Sequence, residues 1–176
     1  MKKLLSLVTV VLGFWFVIFL MNYINLQNPM SLVISEDPRN KGVSVFTHYG
    51  YLLFPGELVI DLRGISPDTS AADVTRVLFN YAGVLKDKNF ETVVLSYKGE
   101  RKFQLRGDFF HTLGVDYGTQ NPVYMMRTFP ENVYEIGGYP AFNTWSGGWL
   151  GVLEKQMEDF NDFHKRWYMD AATSGG

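Results

Sequence analysis

The N-terminal segment constrains this chain more than any other part of it. Two cations, Lys2 and Lys3, precede an apolar run over residues 4–24, and the next charge is Glu36. About 20 apolar residues suffice for a helix to cross a bilayer, whereas the core of a signal peptide has about 7–15. No small-residue pattern marks a cleavage site after the run. We predict an uncleaved signal anchor over residues 1–26; a cleaved signal peptide and a buried helix are the alternatives.

The charges around this segment predict its orientation. Lysines beside an anchor stay in the cytoplasm, so the rest of the chain is expected outside it, in a periplasmic or extracellular position. The absence of cysteine suits an oxidising compartment and excludes disulfides and thiolate metal sites. The formal net charge of −2 gives no electrostatic argument for nucleic acid as a partner.

The remaining sequence divides into three parts. Residues 27–42 contain Asn-Pro and Asp-Pro dipeptides, which are typical of turns, and we predict an extended linker there. Residues 43–170 provide about 130 residues, which is enough for one domain with its own core. Residues 171–176 are expected to be a disordered tail.

Hydrophobic patterns predict an α+β domain. A helix is expected after Ser70, because Asp73 stands where a capping box needs an acceptor and an apolar stripe follows. Only one helix lies between strands, and the later strands form a hairpin, so we predict a two-layer α/β sandwich with a mainly antiparallel sheet. A small Rossmann-like unit is the alternative. The strands are predicted near 43–54 and at 58–63, 92–97 and 101–106, and the longest body helix at 149–168.

A glycine-rich turn is the first candidate site. Ser146, Gly147 and Gly148 precede the long helix, and backbone N–H groups in such a turn can bind an anion or another small ligand. The alternative is a tight structural turn in which Ser146 caps the helix. The nucleophile-elbow pattern G-x-S-x-G is absent.

An enzyme would need several scattered side chains to converge. Asp61, Asp108, His111 and Ser146 are the candidates for acid–base or nucleophilic chemistry in a cleft. The histidines lie far apart in sequence, so we predict no metal site, and no motif predicts a cofactor. His164 lies on the apolar face of the last helix and is expected to be a packed, hydrogen-bonded core residue.

Aromatic side chains in the loop-rich C-terminal part form the second candidate site. Such residues are common at protein interfaces but also pack loops onto a core. The set comprises Tyr124, Tyr139, Phe142, Trp145 and Trp149. We predict a non-enzymatic, membrane-anchored accessory domain that binds a protein partner near the membrane. An envelope hydrolase or small-ligand-binding protein, and a small subunit of a membrane complex, are the alternatives.

Overall fold

A computed structural model describes residues 2–174. Its N-terminal third is dominated by one continuous helical rod. Helix α1 (Lys2–Asn22) passes through a π-helical turn (Tyr23–Gln27) into helix α2 (Asn28–Glu36), with helical dihedral angles at both junctions. The extended linker predicted over 27–42 is therefore wrong for most of its length. The proline at position 29 directly follows the π-helical turn, in which the Asn28 N–H donates to the Tyr23 carbonyl, so the rod accommodates the missing proline N–H next to a local irregularity.

The helical rod belongs to the core of the domain. Leu26, Met30 and Val33 have exposed fractions of 0% and join the main hydrophobic cluster. Their spacing of four and three residues places them on one face of the helix. A short 3₁₀ turn (Pro38–Asn40) then leads into the sheet, and the buried Asn40 side chain donates to the Val33 carbonyl at 2.8 Å.

The sheet has five strands in sequence order. They are β1 (Val43–Gly50), β2 (Phe54–Ile65), β3 (Thr92–Tyr97), β4 (Glu100–Arg106) and the short β5 (Tyr134–Glu135). Strands β2 and β3 pair in parallel, and the neighbouring pairs are antiparallel. The domain is α+β as predicted, but the sheet is mixed and not mainly antiparallel. The parallel pair arises because a helix connects β2 to β3.

Helix α3 (Ala71–Val84) makes this crossover. Its predicted capping box is present: the Ser70 hydroxyl accepts from the Asp73 N–H, and the Asp73 carboxylate accepts from the Ser70 N–H. Its apolar stripe packs on the face of the sheet formed by Leu58, Ile60 and Leu62. The opposite face of these strands carries ion pairs.

The remaining helices complete the core. They are α4 (Gly107–Asp116), α5 (Pro122–Thr128), a 3₁₀ turn (Phe129–Asn132), α6 (Trp149–His164), a π-helical turn (Lys165–Met169) and α7 (Asp170–Ser174). The tail predicted over 171–176 is helical as far as Ser174, and Ala171 packs against the core. Residues 1, 175 and 176 lie outside the described part of the chain.

Candidate functional site

Helix α1 presents an apolar surface that the domain does not cover. Leu12, Phe14 and Phe16 have exposed fractions between 61% and 65%, and most of α1 is equally open. Within residues 2–174 one helix, over Ser6–Glu36, is long and apolar enough to cross a membrane, with a mean hydropathy of 2.3. Exposure of this surface to water has a high free-energy cost, so its transfer to an apolar environment would be favourable.

Two polar side chains join this helix to the edge strand β1. The Asn22 carboxamide oxygen accepts from the Tyr49 N–H at 2.8 Å, and the Gln27 carboxamide oxygen accepts from the Thr47 N–H at 2.8 Å. These are backbone groups that an edge strand leaves without a strand partner. The Tyr81 hydroxyl also donates to the Leu26 carbonyl at 3.0 Å, within the π-helical turn. Specific hydrogen bonds therefore fix the helix against the domain at this junction, which is not a flexible hinge.

The Ser146-Gly147-Gly148 turn lies at the surface just before α6. Ser146 is exposed, and Gly148, without a side-chain hydrogen bond, is the N-cap of α6. The expectation that Ser146 caps this helix is therefore wrong. Gly147 has a φ of +131°, which a residue with a side chain rarely adopts. These features define a tight turn, and the ligand-binding role stays a prediction.

Two of the five predicted interface aromatics point inward. The Phe142 ring lies 6.0 Å from the Phe103 ring and 6.4 Å from the Phe163 ring, at the edge of the core. Trp145 is half-buried, and its indole N–H donates to the Asp159 carboxylate at 2.6 Å. These contacts pack the loop before α6 against that helix, so both residues stabilise the local structure.

The other three aromatics face solvent. Tyr124, Tyr139 and Trp149 have exposed fractions of 46%, 76% and 68%, and Leu150 beside Trp149 reaches 73%. The Arg127 guanidinium stacks over the Tyr124 ring at 4.9 Å. None of the three belongs to the main hydrophobic cluster, and exposed aromatic side chains of this kind are suited to binding a partner.

Asp61 has a structural role on the charged face of the sheet. Its carboxylate is buried, pairs with the Arg63 guanidinium at 2.5 Å and accepts from the Gly99 N–H at 3.0 Å. Lys98 and Gly99 form the two-residue turn between β3 and β4, both with positive φ. Asp61 thus holds this hairpin against β2.

Asp108 lies in a shallow surface cleft of about 310 Å³, which Arg106, Thr112 and Tyr134 also line. The hydrogen-bonded Arg106 guanidinium lowers the pKa of Asp108, so this carboxyl group is charged at neutral pH. A lowered pKa suits it poorly to act as a general acid. His111, one turn away on α4, bonds through Nδ1 to the Lys86 carbonyl at 2.8 Å and does not line this cleft.

The structure separates the two candidate carboxylates. In the sheet register, Arg106 at the end of β4 is level with Glu57, four residues before Asp61 on β2. Asp108 follows Arg106, so the two carboxylates are about 13 Å apart along the strands and two strands apart across them. They cannot share a proton in one reaction at this distance.

His164 is confirmed as a packed core residue, and its hydrogen bonds determine the tautomer of its ring. The Thr75 hydroxyl donates to the Ala71 carbonyl at 2.9 Å, so its oxygen accepts from Nε2–H of His164, also at 2.9 Å. Nδ1 then accepts from the Tyr168 hydroxyl at 3.0 Å. Burial lowers the pKa of His164 to about 3, so the ring is neutral at physiological pH.

No cluster of potential metal ligands occurs among residues 2–174. Comparison with known proteins adds no assignment: neither a family model, nor a curated protein, nor a solved structure matches the chain. The features of the described chain that bear on function are the exposed apolar helix α1, its junction with the domain and the exposed aromatic side chains.

Proposed function

We propose that this chain is a single-pass membrane protein whose domain over 43–170 is a non-enzymatic interaction module outside the cytoplasm. One observation carries the proposal. The exposed apolar helix α1 continues without a break into α2, which is buried in the domain core. Cleavage of a leader would cut a helix that continues into the core, whereas an uncleaved anchor can use this continuous helix to position the domain.

The charge distribution supports the orientation. Lys3 and the neighbouring Lys2 precede the apolar helix, and the positive-inside bias keeps such residues in the cytoplasm. Tyr23, 46% exposed, lies at the opposite end of the apolar run, where aromatic side chains contact the membrane–water interface. The domain then lies in the periplasm or outside the cell, close to the outer surface of its membrane.

The proposed partner is a protein bound to the same membrane or close to it. Tyr124, Tyr139 and Trp149 offer exposed aromatic area, and the anchor confines them to a thin layer. Confinement raises the effective concentration of any neighbour in that layer, so a modest contact surface suffices for capture.

Crosslinking in native membranes tests this proposal. The intact protein is crosslinked briefly and bound species are identified by mass. We expect a reproducible partner whose crosslinks map near Trp149, and Trp149→Ala should reduce its recovery about tenfold, as for an interface anchor. Val115→Ala is the matched control, because Val115 is 52% exposed on a different helix. Equal recovery with both variants would contradict the assignment of this surface.

Trp149 is a more informative position for substitution than Trp145. Trp145→Ala would remove a hydrogen bond and a half-buried ring, so loss of capture in that variant could follow from a disordered loop. Trp149 makes no such bond, and its substitution should leave the thermal midpoint of the domain unchanged. Thermal unfolding of both variants distinguishes a binding effect from a packing effect.

Two other functions have one supporting observation each. The Asp108 cleft, with Arg106 and Asn132 in its lining, offers polar contacts for a small ligand or substrate. Asp108→Asn should abolish such binding and leave partner capture intact. The exposed Phe14, Trp15 and Phe16 of α1 would instead suit packing against other spans in a membrane complex.

A further inference from the structure

The turn between β1 and β2 exposes large apolar side chains at a demanding backbone position. Tyr51, Leu53 and Phe54 have exposed fractions of 75%, 50% and 59%. Tyr51 and Leu52 adopt φ values of +46° and +67°, where glycine or asparagine is the usual choice. The sequence thus keeps apolar residues at the tip of the hairpin at the expense of turn preference.

This hairpin tip, residues 51–54, is fixed to the end of the anchor helix. The Asn22 amide group donates to the Leu52 carbonyl at 2.9 Å and to the Ile18 carbonyl at 2.9 Å, while its oxygen accepts from the Tyr49 N–H. Asn22 is 4% exposed and Ile18 is 7% exposed, although most of α1 is open. The tip therefore lies beside the last turns of α1 and cannot move independently of them.

The depth of the tip follows from the length of the helix. From Lys3 to Asn22 the helix rises about 28 Å, close to the roughly 30 Å thickness of the hydrocarbon core. When Lys3 lies at the cytoplasmic surface, Asn22 lies where the helix leaves the opposite face. The tip, bonded to Asn22, is then level with the boundary between lipid and water.

We propose that the hairpin tip inserts into the outer leaflet as a second membrane contact, with phospholipid as its ligand. This inference rests on the proposed membrane anchor. Tyr51 and Phe54 pack edge to face at 6.0 Å, so they present one apolar surface to the lipid. The tip contains no lysine or arginine, so its insertion depends on burial of apolar area and not on anionic headgroups.

Two contacts constrain the domain more than one does. A lone helix permits the domain to rotate and tilt above the bilayer. A helix and a tip together fix the orientation of the domain, so the same face of the domain always points away from the membrane. Because α1 is continuous with α2, tilting the domain would also tilt the anchor. The exposed aromatics of the proposed interface are thereby held in one orientation relative to the membrane.

Single-site fluorescence labelling tests the insertion. The chain has no cysteine, so Leu53→Cys and Tyr51→Cys can each carry one environment-sensitive dye in the full-length protein. The proteins are reconstituted in phosphatidylcholine nanodiscs, with Val115→Cys as the exposed control and Phe16→Cys as the mid-span reference. We expect tip labels to emit at shorter wavelength than the Val115 label and to be quenched by lipids with a spin label near the headgroup. Adding phosphatidylglycerol should not change this result.

The outcomes separate the insertion from the anchor itself. Tip labels that stay water-like while the Phe16 label is quenched by mid-chain spin labels would overturn the insertion and retain the anchor. A Phe16 label that lipid does not quench would instead overturn the proposed anchor. Blue-shifted tip labels without lipid quenching would mean that protein covers the tip, from a second copy or another chain, and would also overturn the insertion.

A paired substitution tests the role of Asn22. In the Leu53→Cys chain, Asn22→Ala should decrease quenching by lipid, because the tip loses its bonds to the helix. Asn25→Ala is the matched control, since the Asn25 side chain donates to the Met21 carbonyl at 3.0 Å and accepts from the Lys88 ammonium group at 3.2 Å, and makes no hydrogen bond to the tip. Equal quenching of the Leu53→Cys chain with and without Asn22→Ala would show that the tip reaches the bilayer without Asn22. That result would overturn the positioning role of this residue.

Discussion

Protonation of His164 should make the stability of the domain depend on pH in a specific window. The pKa of this ring is about 3 in the folded state, against 6.5 for an unperturbed histidine, because burial disfavours the imidazolium. The unfolded chain therefore binds the proton first as the pH falls. Stability is full above about pH 6.5 and declines progressively towards pH 3.

The magnitude follows from these two pKa values. At pH 5 the unfolded state gains about 2 kcal/mol from protonation of this one residue, and at pH 7 only about 0.2 kcal/mol. Asp37, whose pKa is lowered to about 2 by hydrogen bonds from Arg39, is also stabilising, but an unfolded aspartate titrates near pH 4. The loss between pH 7 and pH 5 should therefore come mainly from His164.

Urea titrations at pH 7, 6 and 5 measure this loss, with the full-length chain in a nonionic detergent and near-ultraviolet circular dichroism of the aromatic core as the signal. We expect the free energy of unfolding to fall by about 2 kcal/mol between pH 7 and pH 5. His164→Gln should be less stable at pH 7 but nearly independent of pH in this range. The exposed His111→Gln should retain the wild-type slope. An identical slope in wild type and His164→Gln would refute the reasoning.

Packing makes two further predictions, which thermal unfolding can check. Gly107→Ala should destabilise the domain by about 1–3 kcal/mol, because the added methyl group would lie 1.7 Å from the Phe90 carbonyl oxygen. Gly151→Ala, with no atom within 4 Å of the new group, should be neutral or stabilising by up to about 1 kcal/mol; a loss with both would contradict the packing argument. Met30→Ala should cost about 2–5 kcal/mol if α2 belongs to the core, whereas Leu32→Ala, at a 49% exposed position, should cost little. Equal effects of these last two would contradict that role for α2.

Patterns among neighbouring residues were enough to predict much of the secondary structure of the domain. The capping box at Ser70 and Asp73 and the turn at Lys98 and Gly99 depend on neighbours in sequence, and both are present in the structure. The single crossover helix also carried the information for a parallel strand pair. The prediction of a mainly antiparallel sheet gave the hairpins too much weight and the strand–helix–strand order too little.

The linker was mispredicted because local turn chemistry competed with helical periodicity. The proline at position 29 suggested a break, although the helix continues through it with a π-helical turn just before it. Leu26, Met30 and Val33 already showed the spacing of a buried stripe. That stripe indicates a helix that continues from the apolar N-terminal segment into the domain.

The candidate sites depended on long-range contacts that no local pattern reveals. Asn22 interrupts the end of the apolar run, yet it forms the hydrogen bonds between α1 and the β1–β2 tip. The aromatic set separates into packed and exposed members only when α6 and its preceding loop come together, as Phe142 and Trp149 illustrate. The distance between Asp61 and Asp108 likewise follows from the register of the strands, which the local sequence does not reveal.

The positions of the N-terminal segment and of the domain relative to the membrane can be measured directly. Lys3→Cys and Asn143→Cys are each expressed in the otherwise cysteine-free chain and treated with a membrane-impermeant maleimide in right-side-out membrane vesicles. We expect the protein to remain in the membrane fraction, the Asn143 cysteine to be labelled at once and the Lys3 cysteine to be labelled only after detergent is added. Labelling of both cysteines without detergent, the reverse pattern, or release of the protein into the soluble fraction would contradict this expectation.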